Sequence, residues 1–143
     1  MRGDARVRPI IFACAIGCCA ATFAGSADAA DVDGAWASSL HACGDIFALE
    51  GSKASFRPNS GLYGSGFIID GRRIRGPAAN CTISRTKETG DIVHIIANCA
   101  TDIMLSSVEF SLKIIDDNTI ERIYPGVGDM EIRYYRCARG TGQ

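Results

Sequence analysis

The chain reads as an all-β domain, a small antiparallel up-and-down barrel or barrel-like sandwich of about eight to ten short strands. Turn signals recur at short intervals, at Gly51-Ser52, Asp70-Gly71, Glu88-Thr89-Gly90, Asp116-Asp117-Asn118 and Pro125-Gly126-Val127-Gly128. The runs between them are rich in Ile, Val, Phe, Tyr and Thr, and no long helical period follows residue 30. Closing the sheet on itself is favoured because closure removes exposed strand edges.

Residues 1–29 stand apart from that pattern. MRGDARVR carries three arginines, PIIFACAIGCCAATFAG is uncharged and apolar, and Ala27 and Ala29 flank Asp28 in the Ala-x-Ala arrangement that a signal peptidase accepts. A secretory signal peptide over 1–29 and a single β domain over 30–143 are therefore expected, with a periplasmic or secreted product. The apolar run is shorter than the roughly 20 residues that span a bilayer, and no comparable run follows. Ala15-Ile16-Gly17-Cys18 partly matches a lipobox, so lipid anchoring through Cys18 is the lesser alternative to a soluble product.

Cleavage would remove Arg2, Arg6, Arg8, Asp4 and Asp28 from totals of 15 basic and 16 acidic residues, leaving 12 and 14. A mature net charge near −2 gives no whole-domain attraction to nucleic acid or anionic lipid. Cleavage also removes Cys14, Cys18 and Cys19 of the seven cysteines, leaving Cys43, Cys81, Cys99 and Cys137. An even count in a small exported domain reads as two disulfides.

Strand parity orders the elements. The lone Trp36, in DGAWASS, lies on the first strand and plugs one end of the core. About Gly51-Ser52, Leu49 opposes Ala54 and Phe47 opposes Phe56; about Asp70-Gly71, Phe67 opposes Ile74 while Ile68 opposes Arg73 and Gly66 opposes Arg75. Each hairpin then has one buried and one mostly wet face, with Phe47, Phe56, Phe67 and Phe110 filling the interior. Val108, Phe110, Leu112 and Ile114 alternate with Glu109, Ser111, Lys113 and Ile115, the period of a strand with one face on a core. Its partner TIERIY satisfies Arg122 and Ile123 in neither simple register, which predicts a bulge near Asp117-Asn118. In RYYRC, Tyr134 and Tyr135 face opposite sides, one to the core and one outward.

The same parity pairs the cysteines. With a turn near Thr89 or Gly90, Cys81 opposes Cys99 on the inner face beside Ile83, Val93, Ile95 and Ala97. By elimination Cys43 pairs with Cys137, linking the end of the first strand to the last across the barrel seam. His94 is at odd offset from Cys99 and faces outward with Ile96, Asn98, Thr82 and Ser84, so HIIANC (94–99) is not a ligand pair. The His41/Cys43 spacing matches no zinc signature either, and no metal or other cofactor is expected. An even cysteine count leaves no thiol nucleophile, no Gly-x-Ser-x-Gly elbow surrounds Ser65 in GSG, and Asp116-Asp117 is a solvated turn; the chain reads as non-enzymatic.

Recognition has three candidate surfaces. FRPNSGLYGSGF (56–67) sets Ser60 and Tyr63 among three glycines; Arg72, Arg73 and Arg75 cluster on a hairpin; and RYYRC presents one tyrosine. Ser60, Tyr63, Arg73 and Arg75 are the candidate partner-binding residues.

The layout DGAW, GSGFIIDG, NCTI, IANC and YYRC resembles small exported proteins of Gram-negative bacteria without assigned function, which implies localisation and a disulfide-bearing β domain. Gly34, Trp36 and Cys43 also resemble the opening of periplasmic metalloprotease inhibitors, small β-barrels with a Gly-x-Trp strand. That family carries one disulfide where this chain has four cysteines, so its inhibitory N-terminal segment is not carried over. NSGLY and RTKETG are faintly similar to elements of bacterial lysozyme inhibitors. The expected function is a binding protein for another exported protein, in its specific form a periplasmic hydrolase inhibitor acting through the 60–63 loop and the neighbouring arginines. A barrel that carries a small apolar ligand is the alternative.

Overall fold

The alternating segments form ten strands in the computed structural model, which describes residues 30–127 and 130–140. They are β1 (Gly34–Ala37), β2 (Phe47–Glu50), β3 (Lys53–Phe56), β4 (Gly66–Asp70), β5 (Arg73–Arg75), β6 (Asn80–Thr89), β7 (Ile92–Ala100), β8 (Leu105–Asp116), β9 (Thr119–Ile123) and β10 (Glu131–Arg139). Eight of them close into a barrel in the order β1-β10-β9-β8-β7-β6-β5-β4, every pair antiparallel. β1 is the seam, paired with β10 on one side and β4 on the other, so each barrel strand has two partners, although β6 beyond Ile83 and β8 before Ser111 are paired with β7 alone. The remaining strands, β2 and β3, form a separate hairpin, preceded by the single helical turn α1 (Cys43–Ile46). The expected signal peptide and its lipobox lie outside the described residues.

Inward side chains build one core around Trp36, Ile69, Ile95, Leu112, Ile120 and Tyr134, all essentially inaccessible, with Phe67 and Phe110 packed against them. Phe47 and Phe56 are not in that interior. Their rings meet tilted, with centroids 5.3 Å apart, on the outside of the wall, in a second cluster with Ala35, Ala37, Ile46 and Ile68. The β2–β3 hairpin therefore covers the outward face of β1 and β4, which alternation alone assigned to water. Its own register is as expected, with Phe47 opposite Phe56 and Leu49 opposite Ala54.

The β4–β5 register differs from expectation by two residues: Ile69 opposes Ile74, Ile68 opposes Arg75 and Asp70 opposes Arg73. The two-residue turn is Gly71-Arg72, not Asp70-Gly71, because the first turn position adopts positive φ (+55°) and glycine does so without steric cost. A slip of two preserves the faces, so Phe67 and Ile74 still point inward. The expected bulge in β8 lies between Ile114 and Asp116. A second one, between Ile83 and Arg85, lets Cys81 oppose Cys99 while the strands still meet at the Gly90-Asp91 turn. Both disulfides form as expected, Cys81–Cys99 from parity and Cys43–Cys137 by elimination. They point to an oxidising, extracytoplasmic setting. No helix among the described residues is long and apolar enough to cross a membrane.

One end of the barrel is tied shut. Trp36 Nε1 donates to the Val32 carbonyl at 2.9 Å, and the Arg136 guanidinium lies 4.3 Å from the Trp36 ring centroid. Arg136 donates to the carbonyls of Asp117 at 2.7 Å and Asp31 at 2.8 Å, and also to that of Asp33. Asp33 in turn accepts from Gly71 N at 3.1 Å, and Glu88 accepts from Ala30 N at 3.1 Å. Residues 30–33 thus form a strap across the closed end.

Two expectations follow from these ties. Replacing Cys43 and Cys137 by Ser, which opens a separation of 94 residues, should lower unfolding free energy by about 4 kcal/mol, and replacing Cys81 and Cys99, separated by 18, by about 3 kcal/mol, read from urea denaturation. Burial at the closed end raises the Asp33 carboxyl above its ordinary value of 3.8, against the pull of the Gly71 amide. Its contribution to stability is then fully present below pH 3.8 and is lost as pH rises through the folded-state value. Asp33→Asn keeps an acceptor for Gly71 N without the charge, so it should match wild type at acid pH and exceed it in urea midpoint at neutral pH.

Candidate binding groove

The outward rows of the barrel wall are set by register. Arg73, Thr82, Asn98 and Ser107 stand side by side across β5, β6, β7 and β8; one row nearer the open end stand Arg75, Asn80, Ala100 and Leu105. Together with Cys81, Cys99 and Ser106 these residues line a groove of about 720 Å³. Its two ends differ in chemistry. At the β5 end, Arg73 is exposed, and Arg75 is half-buried because its Nη2 donates to the Ala54 carbonyl at 3.2 Å, fastening the hairpin to the wall. Among the described residues the ion pairs of arginine belong to Arg133, Arg136 and Arg139; neither Arg73 nor Arg75 is in one.

The β8 end is apolar. Thr101 N donates to the Met104 carbonyl at 3.0 Å and Thr101 Oγ1 accepts from Met104 N at 3.2 Å, so the 101–104 turn satisfies its own backbone. That leaves its side chains projecting: Ile103 is 92 % exposed and Leu105 84 %, with Met104 beside them. Three consecutive large aliphatic residues held outward on a hydrogen-bonded turn are an exposed patch of the kind that marks an interaction site. Amide and hydroxyl side chains of Asn80, Asn98, Thr82, Ser106 and Ser107 occupy the middle.

The structure thus brings Arg73 and Arg75 to one groove and puts Ser60 and Tyr63 elsewhere. Ser60 is 4 % exposed, within the one-turn 3-10 helix Ser60–Leu62. Tyr63 is exposed, in a separate depression of about 310 Å³ with Gly44, Asp45, Arg57 and Pro58. Another depression, about 360 Å³, runs between the hairpin and the wall past Glu50, Lys53 and Asp70. Asn80, Asn98 and Leu105 were not among the sequence candidates. Parity about Gly90 had already set Asn98 beside Thr82 on the outer face, and an Ile-Met-Leu triplet in a turn was visible as an unusual apolar run.

Inside the open end, side chains fill the mouth. The Phe67 and Tyr134 rings lie 4.9 Å apart, the Tyr134 hydroxyl and Ser65 Oγ are 2.7 Å apart, and the Arg122 guanidinium lies 4.5 Å from the ring centroids of both Phe110 and Tyr124. Burial raises the Tyr124 phenol above its ordinary pKa, against the pull of Arg122. Arg122 faces inward and Ile123 outward, with the Ile114/Asp116 bulge adjusting the ladder. Tyr134 is the core tyrosine of RYYRC and Tyr135 is half-buried on the other face. His94 is outward and half-buried, its Nδ1 3.1 Å from Ser111 Oγ and 3.7 Å from Glu109. Among the described residues no three of His, Cys, Asp and Glu converge as metal ligands.

The two groove arginines should separate in stability. Arg75→Ala removes the donor to Ala54 and should cost about 1 kcal/mol, whereas Arg73→Ala should change stability by less than about 0.5 kcal/mol, both read from urea denaturation. In comparison with known proteins, the chain matches no family model, no curated protein and no solved structure.

Proposed function

We propose that the chain is a non-enzymatic exported binding protein that holds another polypeptide in the groove between Arg73 and Leu105, with inhibition of an exported hydrolase as its specific form. The observation that carries the reading is the pairing, on one groove, of guanidinium groups outside any described ion pair with a self-bonded turn of exposed aliphatic side chains. Such a site sits on strands of a disulfide-linked barrel and so is pre-organised, which limits the ordering cost of binding. The disulfides support export, and the apolar stretch and Ala-x-Ala site in 1–29 support its route.

The strap at 30–33 is held by Arg136 and Glu88, which favours contact through the wall groove over an inhibitory N-terminal arm. An interior occupied by Trp36, Phe67, Phe110, Arg122 and Tyr134 favours a surface binder over a small-ligand carrier. No cofactor, nucleic acid or membrane-spanning segment enters the proposal.

A photo-cross-linking residue at Asn98 in cells exporting the protein tests it. A discrete cross-linked partner is expected, lost with Arg73→Glu and retained with Tyr63→Ala. No adduct at Asn98, or adducts indifferent to Arg73→Glu, would contradict the proposal.

A further inference from the structure

From the two ends of the groove we infer the form of its occupant: an extended, acidic segment of polypeptide that lies across β5 to β8 and places an apolar side chain about four to five residues from a carboxylate. This rests on the proposed binding function and specifies its partner.

Distance sets the spacing. Three inter-strand steps of about 4.8 Å separate β5 from β8, a span of about 14 Å. Leu105 also lies one row, about 6.6 Å, nearer the open end than Arg73, so the diagonal is about 16 Å. An extended chain advances roughly 3.3–3.6 Å per residue, so four to five residues separate a side chain at Arg73 from one at Leu105.

Chemistry sets the class. A guanidinium presents its donors in a fork that matches a carboxylate, and the groove has two such groups at one end. Arg85 and Lys87 add positive charge along the outer face of β6, opposite Ile96 and His94, where the same ladders place Asp70 opposite Arg73 and Glu109 opposite Ile96; the cations outnumber these carboxylates, although the whole chain has a formal charge of −1. A segment with one or two carboxylates therefore meets favourable charge locally that the protein as a whole does not offer. Between the ends, Asn80 and Asn98 each supply an amide donor and an amide acceptor, the complement of a peptide group. No aromatic side chain lines the groove among the described residues, so neither the face of a sugar nor a nucleic-acid base has a stacking partner there. At the far end, Leu105 and the Ile103-Met104 turn offer aliphatic surface to one apolar side chain.

The test uses the exported, disulfide-bonded protein and fluorescein-labelled synthetic peptides Glu-(Ser)n-Leu with n from 0 to 6, flanked by Gly-Ser and read by fluorescence anisotropy at low salt. Affinity should peak at n = 3 or 4, at least fivefold above n = 0 and n = 6. It should fall at least tenfold with Arg73→Glu and several-fold with Leu105→Ser, in variants that keep the wild-type melting midpoint. If Arg73→Glu loses that midpoint, Arg73→Gln serves instead, with a smaller loss expected. Peptides that do not bind at millimolar concentration, affinity flat in n, or binding indifferent to Arg73 would overturn the inference. Co-sedimentation with phosphatidylglycerol vesicles that is lost with Ile103→Ser would also overturn it, by assigning the apolar turn to a lipid surface. A partner cross-linked at Asn98 together with a flat peptide series would sink the spacing and leave the binding proposal standing.

Discussion

The buried guanidinium of Arg136 is the tie on which this barrel depends. It comes from the last strand, stacks on Trp36 of the first, and donates to carbonyls of the N-terminal strap and of the β8–β9 turn. Burial lowers its pKa, and the carboxylates of Asp31, Asp117 and Asp33 oppose that shift. A charge taken out of water is costly unless its donors are used, and here they converge on the elements that must meet for the sheet to close. At the same seam Gly34, at positive φ beside the Ala138 backbone, leaves no room for a Cβ. The Cys43–Cys137 disulfide ties the outer face of β10, at the residue next to Arg136, to the segment that follows β1.

Closure at this end governs what the remaining surface can do. The turns here are Gly71-Arg72, Gly90-Asp91 and Asp117-Asn118, which are polar. Most of the highly exposed aliphatic residues lie toward the other end, at Leu62, Ile103, Met104, Leu105 and Val127, with Ile115 beside the closed-end turn. The hairpin covers β1 and β4 and leaves the outer faces of β5 to β8 uncovered. Arg75 stands at the boundary, bonded to Ala54 on one side and lining the groove on the other. The β5, β6 and β7 residues of the groove are paired on both sides, and Leu105 to Ser107 of β8 on the β7 side alone.

Much of the fold was legible because strand parity survives errors of register. The β4–β5 ladder was displaced by two residues, yet Ile74 still pointed inward and Arg73 outward. Cys81 and Cys99 met as expected although an unforeseen bulge at Ile83/Arg85 shifted the remainder of the strand. Phe47 and Phe56 were correctly opposed and wrongly placed, since local alternation says which residues share a face and not what that face packs against. The same gap affected the site. Arg73 and Arg75 were visible as a cluster, but their neighbours Asn98 and Leu105 come from strands distant in sequence and are joined only by the ladder. Ser60 had the composition of a contact loop, and the 3-10 turn buried it.

In the proposed reading, a wall with a basic end, an amide-rich middle and an apolar end holds a segment of polypeptide. The most direct measurement is a ¹H–¹⁵N correlation titration of the disulfide-bonded protein with the Glu-(Ser)3-Leu peptide. The account predicts saturable shifts confined to Arg73, Arg75, Asn80, Asn98 and the 101–107 segment, with the closed end unmoved. Shifts centred on Tyr63, or on Arg122 and Tyr124 at the open mouth, would contradict it.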